Sequence, residues 1–172
     1  MEILIIGFII VALMAYASTK IKKAAREAYE AETVVTEEYS IKKAAGYIIP
    51  VAERNVSDLE ILSKDYGKDE CGKFRQAMLK LSIDKGVELA SVRKKLRTEL
   101  ASVDIDELIK DTQKITLTMT GESEQEGCPT RVFIKYFVRG GKIYKFKAVV
   151  LEENIDDHLE NIESMLESIL IF

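Results

Sequence analysis

RVFIKYFVRGGKIYKFKAVVL, Arg131 to Leu151, is the stretch whose reading decides the fold. Aromatic and β-branched residues recur on both sides of Gly140-Gly141, which reads as two strands joined by a tight turn. Two registers compete. A two-residue turn pairs Tyr136 with Lys145 and Ile134 with Lys147, setting apolar side chains beside charged ones. A loop of Gly140, Gly141 and Lys142 instead pairs Val138 with Tyr144, Tyr136 with Phe146, Ile134 with Ala148 and Val132 with Val150. A slip of one residue turns a whole face over, so burial selects the second register. The opposite face then interleaves aromatic and basic groups, with Phe133, Lys135, Phe137, Lys145 and Lys147 upon it. Such a face suits an acidic partner or anionic lipid headgroups, or else it lies under a helix.

Working outward, Asn154 stands as the N-cap of a last helix, with Asp156 and Asp157 in its first turn where the helix dipole favours negative charge. Ile155, Leu159, Ile162, Leu166 and Ile169 form a stripe that packs this helix on the sheet, and Ile171-Phe172 is apolar enough to dock. Upstream, Lys114 to Thr120 alternates as a strand, and Glu122, Glu124 and Glu126 make an acidic loop tip. Asp104 with Glu107 resembles a capping box, which predicts a short helix through Leu108 and Ile109. From Val87 to Leu100 an apolar stripe of Leu89, Val92, Leu96 and Leu100 opposes Arg93, Lys94, Lys95 and Arg97, an amphipathic surface helix whose basic side is solvated or lies near an anionic leaflet.

Phe74 to Asp84 reads as a strand with Ala77, Leu79, Leu81 and Ile83 on one face. Asp65 to Lys73 is a loop, Asp58 to Lys64 a weaker strand, and Thr33 to Lys43 with Tyr47 to Val51 a strand pair. The sum is an α+β domain with a mostly antiparallel sheet flanked by helices.

Before this domain lies a different kind of sequence. From Ile3 to Thr19 there is no charged residue, and ILIIGFIIVALMAYA has no polar stripe. As a helix it reaches roughly 25 Å, close to the hydrocarbon thickness of a bilayer. Residues 1–19 are therefore expected to be a transmembrane anchor, 20–32 a helical juxtamembrane stalk, and 33–172 the folded domain. A cleaved signal peptide is the rival reading, since Ala15-Tyr16-Ala17 resembles a cleavage site, although no basic segment precedes the apolar run. Gly7-Phe8 resembles a pilin start, but the early glutamate of that family is missing. Lys20, Lys22, Lys23 and Arg26 follow the run and no Lys or Arg precedes it, which places the domain on the cytoplasmic side. Cleavage would make it secreted or periplasmic instead.

The stretch GCPTRVFIKYFVRGGKIYKFKAVVLEENIDDHLENIESMLESIL, Gly127 to Leu170, resembles the Mog1/PsbP-like α/β/α sandwich group, which includes bacterial lipoprotein domains of unknown role. The resemblance lies in hydrophobic and turn patterns and weakens back to Phe74. It implies an antiparallel sheet flanked by helices that acts as a noncatalytic binding or assembly module. The chain departs from those lipoproteins in having no cysteine near its start.

Chemistry-bearing residues are sparse. His158, the one histidine, falls at the edge of the last helix's apolar stripe and reads as a boundary residue rather than a base. Cys71 follows Asp69 and Glu70, whose charge disfavours a thiolate. Its partner in a disulfide would be Cys128, if the domain met an oxidising compartment. Asp65, Asp69 and Glu70 lack the spacing of a calcium loop, and no glycine-rich phosphate loop occurs. No cofactor and no metal is expected. The net charge of -4 gives nucleic acid no general attraction. Two functions remain: a noncatalytic interaction or assembly module tethered to the membrane and serving a larger protein complex, or an extracytoplasmic small-ligand-binding domain.

Overall fold

Gly140 and Gly141 have φ of 58° and 73°, the left-handed pair that a two-residue hairpin turn requires and that a Cβ disfavours. In the computed structural model this turn joins β8 (Cys128–Arg139) to β9 (Lys142–Leu151), with Arg139 opposite Lys142, Phe137 opposite Tyr144, Tyr136 opposite Lys145 and Ile134 opposite Lys147. The three-residue loop expected from burial is thereby corrected. A single buried face would favour the longer loop, but this sheet carries an apolar cluster on each face. Phe133, Phe137, Tyr144 and Phe146 belong to one apolar cluster and Val132, Ile134, Tyr136 and Ile143 to another.

The structure describes residues 2–50, 58–85, 89–110 and 115–172, with side chains from Val11 onward except that of Asp58. The elements are α1 (Glu2–Ala28), β1 (Glu32–Val35), β2 (Tyr39–Lys43), β3 (Tyr47–Ile48), β4 (Asp58–Ser63), β5 (Ala77–Lys85), α2 (Leu89–Glu99), β6 (Ser102–Lys110), β7 (Ile115–Gln125), β8, β9, α3 (Ile155–Glu167) and β10 (Leu170–Ile171). Seven strands form one antiparallel sheet in the order β3-β4-β5-β9-β8-β7-β6, and β1-β2-β10 form a small second sheet. The central hairpin lies in the middle of the large sheet, so its register sets which residues of β5 and β7 face each way.

On the first face, α3 and the small sheet cover the strands: Ile162, Met165, Leu166 and Ile169 pack with Tyr39, Ile41, Leu79, Leu81 and Phe146. On the second, Val92 and Leu96 of α2 close over Leu117, Met119, Ile134 and Ile143. The predicted helix at Leu108-Ile109 is a strand, β6, paired along its length with β7. Hydrogen bonding to a neighbouring strand outweighs a local capping pattern here, and Leu108 gains a place against the α2 cluster. Strand β7 runs on through Glu122 and Glu124 to Gln125, longer than the predicted strand, and the turn falls at Glu126-Gly127. Asn154 precedes α3 but makes no side-chain cap hydrogen bond; a 3-10 turn over Glu152–Asn154 feeds the helix instead.

Helix α1 leads into the domain from outside it. Val11, Leu13, Met14, Tyr16 and Ile21 are 62–68% exposed. Among the described residues no helix is long and apolar enough to cross a membrane. Residues 1–10 of the expected anchor lie outside those whose side chains are described. The helix ends on a buried cation. Lys43, fully buried, donates through Nζ to the carbonyls of Ala28 at 3.0 Å, Glu30 at 2.5 Å and Tyr47 at 2.7 Å. Burial holds its pKa below the usual lysine value, while Glu32 opposes that shift. A cation suits the C-terminal end of a helix, where carbonyls are left without intrahelical donors.

Replacing both turn glycines by alanine should lower the unfolding free energy by about 2 kcal/mol in urea titration, since each left-handed position costs a Cβ-bearing residue roughly 1 kcal/mol; Gly140→Asn should be tolerated. Lys43→Ala should cost about 2–4 kcal/mol in the same measurement, because it leaves buried carbonyls without a donor.

Candidate functional site

The second face of the large sheet is only partly roofed. Helix α2 covers its β6-β7-β8 side, and beyond the helix, over β5, β9 and the start of β8, lies a basin of about 390 Å³. Alternation along each strand supplies its floor. On β5, Met78, Lys80 and Ser82 point to this side because Ala77, Leu79 and Leu81 fill the core on the other. On β9, Lys145, Lys147 and Val149 do the same opposite Tyr144, Phe146 and Ala148. Val132 and Tyr136 of β8 complete the floor, and Ser123, Glu124 and Gln125 near the β7-β8 turn form the far rim. Thr130 Oγ1 donates to the Ser123 carbonyl at 3.1 Å and steadies that rim.

The electrostatics of the basin are mixed but grouped. Lys145 forms an ion pair with Asp84. Lys80 and Lys147 are exposed and directly opposed across β5 and β9. The Tyr136 hydroxyl is pushed up to about 12, by burial first and by Glu99 and Asp84 second.

The expected partner-binding face is therefore divided. Phe133, Lys135 and Phe137 lie on the first face, with Phe133 and Phe137 buried in its cluster. Lys135 Nζ donates to the Leu166 carbonyl at 3.1 Å, at the end of α3, and stands 5.5 Å from the Phe137 ring centroid. Of the five residues, Lys145 and Lys147 alone reach the basin. The grouping was a product of the register: shifting one strand by one residue moved two lysines through the sheet. Lys80 was overlooked, although the same alternation that put Leu79 and Leu81 in the core turns it to the other side.

The basic side of α2 is largely engaged in holding β6. Arg93 Nε donates to Asp106 Oδ1 at 2.8 Å, Arg97 pairs with the other oxygen, and the two arginines hold the Asp106 carboxyl below its ordinary value against the opposing effect of burial, the largest single contribution. Lys95 meets Glu99 at 3.7 Å. Lys20, Lys22, Lys23 and Arg26 are exposed along α1, and Lys23 lies 3.7 Å from Glu27.

Cys71 and Cys128 form a disulfide across Cα atoms 5.8 Å apart. It ties the 3-10 turn Asp69–Cys71 to the first residue of β8. The histidine also has a defined place. His158 Nδ1 lies 2.7 Å from the Tyr47 hydroxyl and Nε2 lies 3.1 Å from Gln76 Oε1. The arrangement fits a neutral ring, with Tyr47 donating to Nδ1 and Nε2–H donating to the amide oxygen. Burial lowers the His158 pKa below 6.5, with Asp157 and Asp65 opposing, and burial raises that of Tyr47. The triplet fastens α3 to β3 and the segment before β5, a structural boundary role like the one expected.

No family model matches the sequence, and no curated protein does. Solved structures do share the architecture. Cyanobacterial PsbP from Synechocystis sp. PCC 6803 aligns with a TM-score of 0.54 at 10% identity, covering 84% of this chain and 94% of its own. The fold is that of the Mog1/PsbP-like sandwich group. A Pseudomonas aeruginosa protein, PA94, described as of unknown function and a putative regulator, aligns with a TM-score of 0.50 at 12% identity over 78% of this chain and 92% of its own. LpqN of Mycobacterium tuberculosis, involved in cell envelope biogenesis, covers 82% of each chain at 11% identity with a TM-score of 0.41. At such identities the PsbP-like comparison establishes fold alone.

The histidine generates a pH prediction. Below the unfolded pKa near 6.5 the unfolded chain takes up a proton that the folded ring resists. The contribution of His158 to stability is thus complete above about pH 6.5 and is lost as pH falls through the lower folded value. Urea midpoints measured between pH 7.5 and 5 should fall, and the fall should be smaller in His158→Gln.

Proposed function

We propose that this chain is a noncatalytic binding module tethered to a membrane by residues 1–19, carried on the stalk 20–32, and folded as a PsbP-like domain over 33–172. The observation that carries the tether is α1: its apolar side chains at 11, 13, 14 and 16 are exposed rather than packed on the domain, so their burial has to come from elsewhere. The basin over β5 and β9 is the binding surface this reading selects, being concave, part apolar and rimmed by polar groups.

For its address we favour the oxidising side of the membrane. The cations after the apolar run argue for the cytoplasm, whereas the pairing of Cys71 with Cys128 argues for an oxidising compartment, where such bonds form and persist. The covalent tie concerns this domain directly, while the charge bias is a statistical guide to insertion. The extracytoplasmic small-ligand reading thus gains on that of a cytoplasmic component of a larger protein assembly.

Membranes bearing the full chain should retain it through alkaline carbonate washing, and Leu13→Arg with Met14→Arg should release most of it. In intact cells whose thiols are trapped before lysis, a maleimide-polyethylene glycol reagent should add mass only after reduction. Addition without reduction would place the domain in a reducing compartment, and loss of the unsubstituted chain in carbonate would remove the tether.

A further inference from the structure

Strand pairing puts Lys80 of β5 directly across from Lys147 of β9, with Lys145 two residues further along the same face opposite Ser82. Like charges at directly opposed positions, with Cβ atoms about 5 Å apart, work against the sheet. Lys145 is neutralised by Asp84, but among the described residues neither Lys80 nor Lys147 forms an ion pair. Glu60 stands opposite Lys80 on β4, and Glu124 lies on the rim of the basin. Glu60 attracts Lys80 from the β4 side, while Lys147 faces Lys80 from the β9 side, and the two opposed lysines line the basin together with the apolar side chains of Met78, Val132 and Val149.

We propose that the basin binds a small molecule bearing a phosphate group. Two facing ammonium groups call for an anion of nearly two charges with several acceptor oxygens, which a phosphomonoester supplies near neutral pH and a single carboxylate does not. The volume of about 390 Å³ is that of a small-molecule site. Phosphate oxygens meet Lys80 and Lys147, and the organic remainder lies on Met78 and Val149. Ligand binding thereby offsets a repulsion that the unliganded sheet carries. The inference rests on the binding-module reading, of which it names the ligand class.

The test uses the full chain with neutral phosphatidylcholine nanodiscs and carbon-13 labels on the methionine methyl groups. Met78 lies in the basin and Met119 is buried under α2. Phenyl phosphate should shift the Met78 methyl signal saturably and leave Met119 unmoved, benzyl alcohol at equal concentration should not, and inorganic phosphate should bind more weakly. Lys80→Gln with Lys147→Gln should raise the Kd for phenyl phosphate at least tenfold. The unliganded Lys147→Gln variant, which removes the like-charge pair and leaves Lys80 opposite Glu60, should melt at a higher temperature than the parent, an effect that a lysine serving the fold would not give. Absence of a saturable shift, an equal response to benzyl alcohol, or an unchanged Kd in the double variant would overturn the proposal. Inorganic phosphate binding as tightly as phenyl phosphate would overturn its apolar half. Whether the chain stays with the nanodiscs is read separately, so loss of the tether and loss of the ligand site are distinguishable.

Discussion

Two consecutive glycines in left-handed conformation fix the pairing of β8 with β9, and the rest of the large sheet inherits its facing from that pair. With β5 on one side and β7 on the other, every side chain of four strands is assigned to the α3 face or the α2 face by the turn between Arg139 and Lys142. Lengthening that turn by one residue would shift one strand of the pair against the other and carry Phe146 out of the aromatic contacts it makes with Phe137 and Tyr39, at centroid distances of 5.9 and 6.4 Å. Backbone geometry at two positions thus outranks the side-chain pairing that a one-sided sheet would prefer.

Much of the architecture was legible where a pattern had a single interpretation. The stripe Ile155, Leu159, Ile162, Leu166, Ile169 matched a helix lying on the sheet, and all five pack with the α3-side cluster in the way a 3.6-residue period requires, four from within the helix and Ile169 from just beyond its end. The alternation in Phe74 to Asp84 matched β5. Failures came where two local signals conflicted. Asp104 and Glu107 resembled a cap, yet Val103, Ile105 and Ile109 are β-branched residues suited to an edge strand, and pairing with β7 decided the outcome. Phe133 and Lys147 lie on opposite faces because apolar clusters occupy both sides of this sheet, so no single wet side marks the register. Lys43 was hidden for another reason. Its two-residue spacing from Tyr39 and Ile41 places it inside, but a lysine there is credible only once three distant carbonyls converge on it, and those come from the end of α1 and from β3.

Likeness to PsbP at 10% identity is in keeping with this division. What the two chains share is the fold, a constraint many residue choices satisfy. Residues that would define a ligand, Lys80 and Lys147 among them, lie outside that constraint. They point away from the core shared with α3, so fold-level likeness carries no information about them.

The seating of Lys43 also governs how the domain would move above a bilayer. A lysine that clamps the last turn of α1 to β2 and β3 removes the swivel that a loose linker would provide, and Gly46 N–H adds a hydrogen bond to the Tyr29 carbonyl at 2.8 Å in the same joint. If residues 1–19 hold the chain in a bilayer as proposed, rotation of the helix about its own axis would become rotation of the whole sandwich, and the basin would sweep a circle of fixed height instead of a sphere. Encounters with molecules at that height would then be confined to two dimensions, where a tethered copy presents a higher effective concentration than the same copy free in solution.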